Sequence, residues 1–252
     1  PFLPYLFRQD GKDRAVGDIQ QIQICNNLSV SAAPSQLPWE GSLGVRFWGT
    51  YHTEGGSTMT DFHALIHSYQ NCACGQAHTC AIRDIEIGSG LVRSVGDILR
   101  KNGFGPRLLL AADEQTLAAS EGIEASLAGF AVVRHIWPTI RVATMQDVEK
   151  IESYFDRVDG VLAVGTGSVH DPCRLACARH DVPLCLFATA PSMDGFASYS
   201  APIVNGNFKI TYPAKCPEVI IGDTKILADA PAALKSAGFG DMISKYIALI
   251  DW

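Results

Sequence analysis

Residues 161–198, VLAVGTGSVHDPCRLACARHDVPLCLFATAPSMDGFAS, constrain the fold more than any other stretch of the chain. An apolar run (Val161–Val164) leads into a glycine turn (Gly165-Thr166-Gly167-Ser168), then a helical segment, then a second apolar run (Pro183–Ala188) and a loop ending in Ser192-Met193-Asp194-Gly195. A strand that feeds a glycine turn and a helix N-terminus makes a phosphate cradle. Unpaired backbone N–H groups and the positive end of the helix dipole converge there, and the glycines let a pyrophosphate approach where a Cβ would stand in the way. Ser168-x-x-Asp171 has the spacing of a capping box with Asp in place of Glu, which predicts the helix start at that point. The turn departs from the G-x-G-x-x-G fingerprint, and strand–glycine–helix turns also occur without any ligand. On its own, the stretch therefore indicates a nucleotide-binding α/β protein.

The flanking text repeats the alternation. Strands are expected at Ile82–Ile87, Arg107–Ala112, Phe130–Trp137 and Pro217–Ile221, a hairpin over Pro202–Tyr212 turning at Asn205-Gly206, and helices to about Lys101, over 114–128, over Thr144–Phe155, from Asp223 and over Ala232–Trp252. Arg107–Ala112 is apolar without a break, the pattern of a strand covered on both faces. Strands alternating with helices of this length give a doubly wound parallel sheet whose ligands sit at the C-terminal strand ends. Gly165–Asp171, Thr189–Ser192 and Asp194 all fall at such ends. So does Asp113, which reads equally as a ribose acceptor or as the N-cap of the helix after it.

Composition narrows the class. A hydrophobic fraction of 47% with 18% charged residues over 252 residues suits a globular protein with a sizeable core. A net charge of −6 argues against a nucleic-acid surface, no apolar run is long enough for a membrane span, and no signal peptide opens the chain, so a cytoplasmic location is expected. The eight cysteines are scattered through apolar segments, as reduced buried thiols would be. Cys72-Ala-Cys74 with His78 and Cys80 invites a zinc reading, but its compactness favours a turn feeding the next strand. Residues 1–58 lack the alternation and are expected to be an unrelated extension, with Met59 a reasonable start for residues 59–230, the nucleotide-binding domain. The final helix stops at Trp252 without a cap, as the opening of a helical domain cut short would.

Three motifs, GTGSVHD (165–171), TAPSMDGFAS (189–198) and GFGDMISKY (238–246), stand in order and at family spacing. Through them, residues 70–252 resemble the sn-glycerol-1-phosphate dehydrogenases, in the superfamily of dehydroquinate synthase, glycerol dehydrogenase and the iron-type alcohol dehydrogenases. The resemblance implies an α/β nucleotide domain followed by an all-helical domain, of which residues 231–252 are the start. It also implies NAD or NADP, a divalent metal (zinc or nickel), and a small phosphorylated substrate; homo-oligomerisation stays open. It places Gly167, Ser168, Val169, His170 and Asp171 at the cofactor pyrophosphate, and Thr189, Ala190, Pro191, Ser192 and Ser198 along the rest of the cofactor. Asp194 would hold substrate, and Asp241 would ligate the metal and face the substrate.

Local readings compete with these roles. Asp194-Gly195 is a common turn pair, and Asp241 after Gly240 suits an N-cap. Pro172 departs from the family pattern at the expected helix start, where it should do little harm. The family's two metal-binding histidines lie in the helical domain, and none of the seven histidines here matches them. The expectation is thus a chain that binds nucleotide and does not turn over glycerol phosphate. A dehydroquinate-synthase-like lyase and a non-catalytic nucleotide-binding remnant are the alternatives.

Overall fold

The computed structural model describes residues 80–251, together with Ala64. The expectations for residues 1–58 and for Cys72, Cys74 and His78 lie outside the described residues.

Six parallel strands form the central sheet: β1 (Asp84–Gly88), β2 (Arg107–Asp113), β3 (Ala131–Trp137), β4 (Gly160–Gly165), β5 (Leu184–Ala188) and β8 (Val219–Asp223), in the spatial order β1-β8-β5-β4-β2-β3. β6 (Ser200–Asn205) and β7 (Phe208–Pro213) make a separate antiparallel hairpin. Its two loop residues are Gly206 and Asn207, with Gly206 at φ +61°, so the turn lies one residue beyond the expected Asn205-Gly206. From β2 the chain steps outward to β3, then returns past β2 to β4 and continues the other way to β5 and β8. The topological switch point is therefore between β2 and β4, and the crevice at their C-terminal ends is where a doubly wound sheet takes its ligand. The fold is the expected doubly wound α/β sheet.

The apolar strands bury alternate residues on opposite faces. Leu109, Ala111, Val161, Ala163, Leu184 and Leu186 pack under α4 (Met145–Glu152), α5 (Gly167–His180) and the hairpin residues Ala201 and Ile203. Leu108, Leu110, Leu162, Val164, Cys185 and Phe187 pack under α1 (Val95–Lys101) and Ile123. A sheet covered on both sides needs strands apolar at every position, which is why the sequence shows uninterrupted runs here.

Two helices differ from the sequence reading. The helix expected over 114–128 is broken into α2 (Glu114–Ala119) and α3 (Ile123–Ser126), because Gly122 between them takes φ +93°. Ser168 does not cap α5. The helix begins at Gly167 after Thr166, which makes no side-chain cap, while Ser168 Oγ donates to the Arg141 carbonyl at 3.0 Å. Pro172 consequently sits in the second turn of α5, and the helix runs on to His180 without the bond that Pro172 cannot donate. Thr144 and Asp147, by contrast, form the expected reciprocal capping box at the start of α4. α6 (Thr224–Asp229) follows β8, and α7 (Ala232–Asp251) ends the described chain, with Phe239, Tyr246 and Ile250 exposed on its outer side.

Candidate active site

The site is assembled around the N-terminus of α5. The backbone N–H groups of Val169 and His170 turn back to the Thr166 carbonyl at 3.0 and 2.9 Å, while Gly167 and Ser168 line a cavity of about 640 Å³ beyond the C-terminal end of β4. The first N–H groups of a helix have no acceptor inside it, so this edge of the cavity is a donor surface carrying the positive end of a fourteen-residue helix. The approach at Gly167 is close: a Cβ there would lie 3.0 Å from Met193 Sδ, on the loop after β5, and the thioether would have to give way by a few tenths of an ångström.

That loop forms the opposite wall. Thr189 N–H donates to the Gly165 carbonyl at 3.0 Å, tying the end of β5 to the end of β4, and Thr189 and Ala190 are buried. Ser192, Met193, Asp194 and Ser198 line the cavity. Its third wall is α7, and the contact is made possible by one glycine. A Cβ on Gly238 would lie 1.9 Å from the Pro191 carbonyl oxygen, so only glycine lets the helix cross this close. One turn further on, Asp241 Oδ2 accepts the Asp194 backbone N–H at 2.8 Å. Lys245 Nζ lies 3.1 Å from Asp194 Oδ2 and 3.8 Å from Asp241 Oδ1. Burial raises the Asp194 carboxyl above the ordinary carboxylate range, Lys245 works against that, and the neighbouring Asp241 charge adds to it. Asp241 is in the interior of α7 and is not its N-cap.

Asp171 also faces the cavity, and burial pushes its carboxyl up to about 6, against the attraction of Arg174 and Lys209. Its neighbour His170 points the other way. The imidazole is 0% exposed against Phe196, and burial, then the nearby Arg174 charge, bring it down to about 3, so a neutral ring faces the core and not the phosphate cradle. Val169 likewise packs into the core. Asp113 caps the helix after β2: its Oδ1 accepts the Thr116 N–H at 2.7 Å, while Thr116 Oγ1 donates to the Val164 carbonyl at 2.9 Å. Cys173 and Cys177 are buried in the core with thiols pushed up by burial, as small core residues would be.

Four cations at or beside the cavity escaped the sequence reading: Arg141, Arg174, Lys209 and Lys245. Lys245 had a local signal, its i,i+4 spacing from Asp241. Arg174 was marked only by its isolation among Cys173, Leu175, Ala176 and Cys177. Arg141 and Lys209 reach the cavity only through the packing of the β3–α4 loop and the hairpin, where Val204 N–H donates to the Ala143 carbonyl at 2.9 Å.

Residues 86–231, more than half of the chain, match the family model described as iron-containing alcohol dehydrogenase. The chain belongs to this family. Among curated relatives it is similar to glycerol-1-phosphate dehydrogenase [NAD(P)+] of Geobacillus thermodenitrificans, 45% identical over 38% of this chain and 24% of the relative. It is also similar to that of Methanothermobacter thermautotrophicus, 34% identical over 68% of this chain and 49% of the relative. The chain thus spans at most about half the length of these relatives. Among solved structures its fold is similar to glycerol dehydrogenase from Schizosaccharomyces pombe, with TM-score 0.58 and 18% identity over 66% of this chain and 43% of that one. It is also similar to NADH-dependent butanol dehydrogenase A from Thermotoga maritima, with TM-score 0.57 and 20% identity over 64% and 47%.

The described residues do not offer a complete donor set for the metal in the family's description. Among the described residues no three His, Cys, Asp or Glu side chains cluster so as to hold an ion, and the pair that comes together, Asp194 and Asp241, is already bridged by the Lys245 ammonium. No described helix is long and apolar enough to cross a membrane.

Proposed function

We propose that this chain carries the nucleotide-binding part of an NAD(P)-dependent sn-glycerol-1-phosphate dehydrogenase. The protein would transfer hydride between the nicotinamide ring and C2 of a three-carbon phosphate, interconverting dihydroxyacetone phosphate and glycerol 1-phosphate. The observation that carries the reading is that residues of all three family motifs line one cavity, Gly167 and Ser168 from the first, Asp194 from the second and Asp241 from the third, with the last two joined by a 2.8 Å bond from Asp194 N–H.

In this reading the Gly167 and Ser168 end of α5 receives the pyrophosphate, with charge attraction from the helix terminus. The 189–192 loop flanks the nicotinamide ribose, and Ser198 adds a hydroxyl to that side. Asp194 accepts a substrate hydroxyl, orienting C2 toward the ring. Asp171 stands close to the phosphates, and its raised affinity for a proton reduces the charge conflict with them. Val169 and His170 support the cradle from beneath. Asp113 borders the switch point as a helix cap, so either NAD or NADP is compatible with its position. The metal that the resemblance implies, zinc or nickel, would draw on Asp241 together with donors from elsewhere.

The test is a fluorescence titration of the chain with NADH and NADPH, with ADP as competitor. Saturable quenching or enhancement that ADP reverses supports the reading, and the absence of binding by both nucleotides refutes it.

A further inference from the structure

The proposed function gives the Arg174 side chain no part, yet that side chain is 1% exposed and charged, a placement that demands partners. It leaves the middle of α5 and reaches the turn that follows Asp194. One terminal nitrogen donates to the carbonyls of Gly195 and Phe196 at 2.9 and 3.1 Å, and the other to the Ser200 carbonyl at 3.1 Å, with Asp171 Oδ1 at 3.5 Å. The loop has other ties as well: Ser198 N–H to the Gly195 carbonyl at 3.2 Å, Ser200 N–H to Ser198 Oγ at 3.0 Å, Cys216 Sγ to the Ala197 carbonyl at 3.2 Å and Ala214 N–H to the Tyr199 carbonyl at 2.6 Å, but each holds one carbonyl or one turn where the Arg174 fork spans three carbonyls. A planar fork that donates to three carbonyls fixes both position and orientation, which the point charge of a lysine cannot reproduce.

We infer that Arg174 is a positioning residue: from inside α5 it holds residues 195–200 so that Asp194 and Ser198 face the cavity, thereby coupling the phosphate cradle to the nicotinamide side of the site. The inference rests on the proposed nucleotide reading and deepens it. Because Arg174 lies one turn beyond Asp171 on the helix whose first residues form the cradle, the two halves of the cofactor site share one rigid element.

The test uses the whole chain with Arg174→Lys, which keeps the charge, and Arg174→Met, which keeps much of the shape. ADP-ribose probes the cradle, NADH probes the full site, and hydrogen exchange reads the loop directly. Arg174→Lys should leave ADP-ribose binding within about twofold and weaken NADH about tenfold, the equivalent of one lost charge-assisted hydrogen bond. Exchange should accelerate in residues 195–200 and stay unchanged in β4 and β5; Arg174→Met should show the same pattern with larger amplitude. Equal weakening of both ligands, or unchanged exchange in the loop, would overturn the inference. A wild-type chain that binds neither ligand would refute the nucleotide reading and the coupling with it. Exchange would still decide whether Arg174 holds the loop.

Discussion

The Asp194 backbone N–H donates to Asp241 Oδ2 at 2.8 Å, joining the loop after β5 to the middle of the last helix across 47 residues of sequence. Lys245 sits beside both carboxylates, so the contact is a charged three-residue cluster and not a single bond. Asp241→Ala would strand the Asp194 donor and leave Lys245 with one carboxylate. The expected loss is about 1–2 kcal/mol, or a melting temperature lower by roughly 2–4 °C per kcal/mol, read by thermal unfolding. Asp241→Asn, which retains an oxygen acceptor, should lose less. Equal losses in the two variants would mean that the hydrogen bond contributes little.

The two glycines of α7 should respond in opposite directions. Gly238→Ala puts a Cβ 1.9 Å from the Pro191 carbonyl, so the helix must shift away at a cost on the order of 1–3 kcal/mol. A Cβ on Gly240 would meet nothing within 4 Å, and Gly240→Ala should stabilise the helix by about 0.5–1 kcal/mol. Denaturant unfolding of the pair tests whether α7 is docked as described, since an undocked helix would gain from both substitutions.

Asp171 makes a pH-dependent prediction. Its carboxyl is raised by burial to about 6, so the folded state holds this proton more tightly than the unfolded chain does. Stability from this group is therefore greatest at low pH and declines as the pH rises through about 6, by an amount on the order of 3 kcal/mol when ionisation is complete. Asp171→Asn removes that dependence. The difference in melting temperature between variant and wild type should move in the variant's favour between pH 4 and pH 7, and a constant difference would contradict the assignment.

Asp223 behaves in the opposite sense. Burial alone would raise its carboxyl, but backbone N–H groups of Val92, Gly90 and Lys225 donate to it and bring it below the ordinary value. It thus ties the turn after β1 to the end of β8 and caps α6. A carboxyl lowered in the folded state contributes stability that is full above its unfolded value and is lost as the pH falls through the folded one. Asp223→Asn should destabilise at pH 7 and converge on wild type in acid, as followed by urea unfolding at the two pH values.

Alternation of apolar strands with helical segments was enough to read a doubly wound parallel sheet, because the two-sided burial of β2, β4, β5 and β8 is written in their own residues. Capping at Thr144–Asp147 was equally local, since both partners lie within one turn. Ser168 and Asp171 have the same spacing, and there the structure chose otherwise: Ser168 found the Arg141 carbonyl and Asp171 a place beside Arg174. Propensity favoured a cap at Asp241, but Gly238 crosses Pro191 inside a continuous helix and brings Asp241 to Asp194. Local pattern marked the sheet strands and most of the helices and, through the motifs, part of the candidate site, while the break at Gly122 and the cations Arg141, Arg174, Lys209 and Lys245 were not read there. Only the tertiary structure decided which residues meet, with His170 turned into the core and Arg174 buried beneath the loop. Local spacing sets backbone preferences within a turn or two, whereas a side chain's partner is decided by which distant segments the closed topology brings within hydrogen-bonding reach.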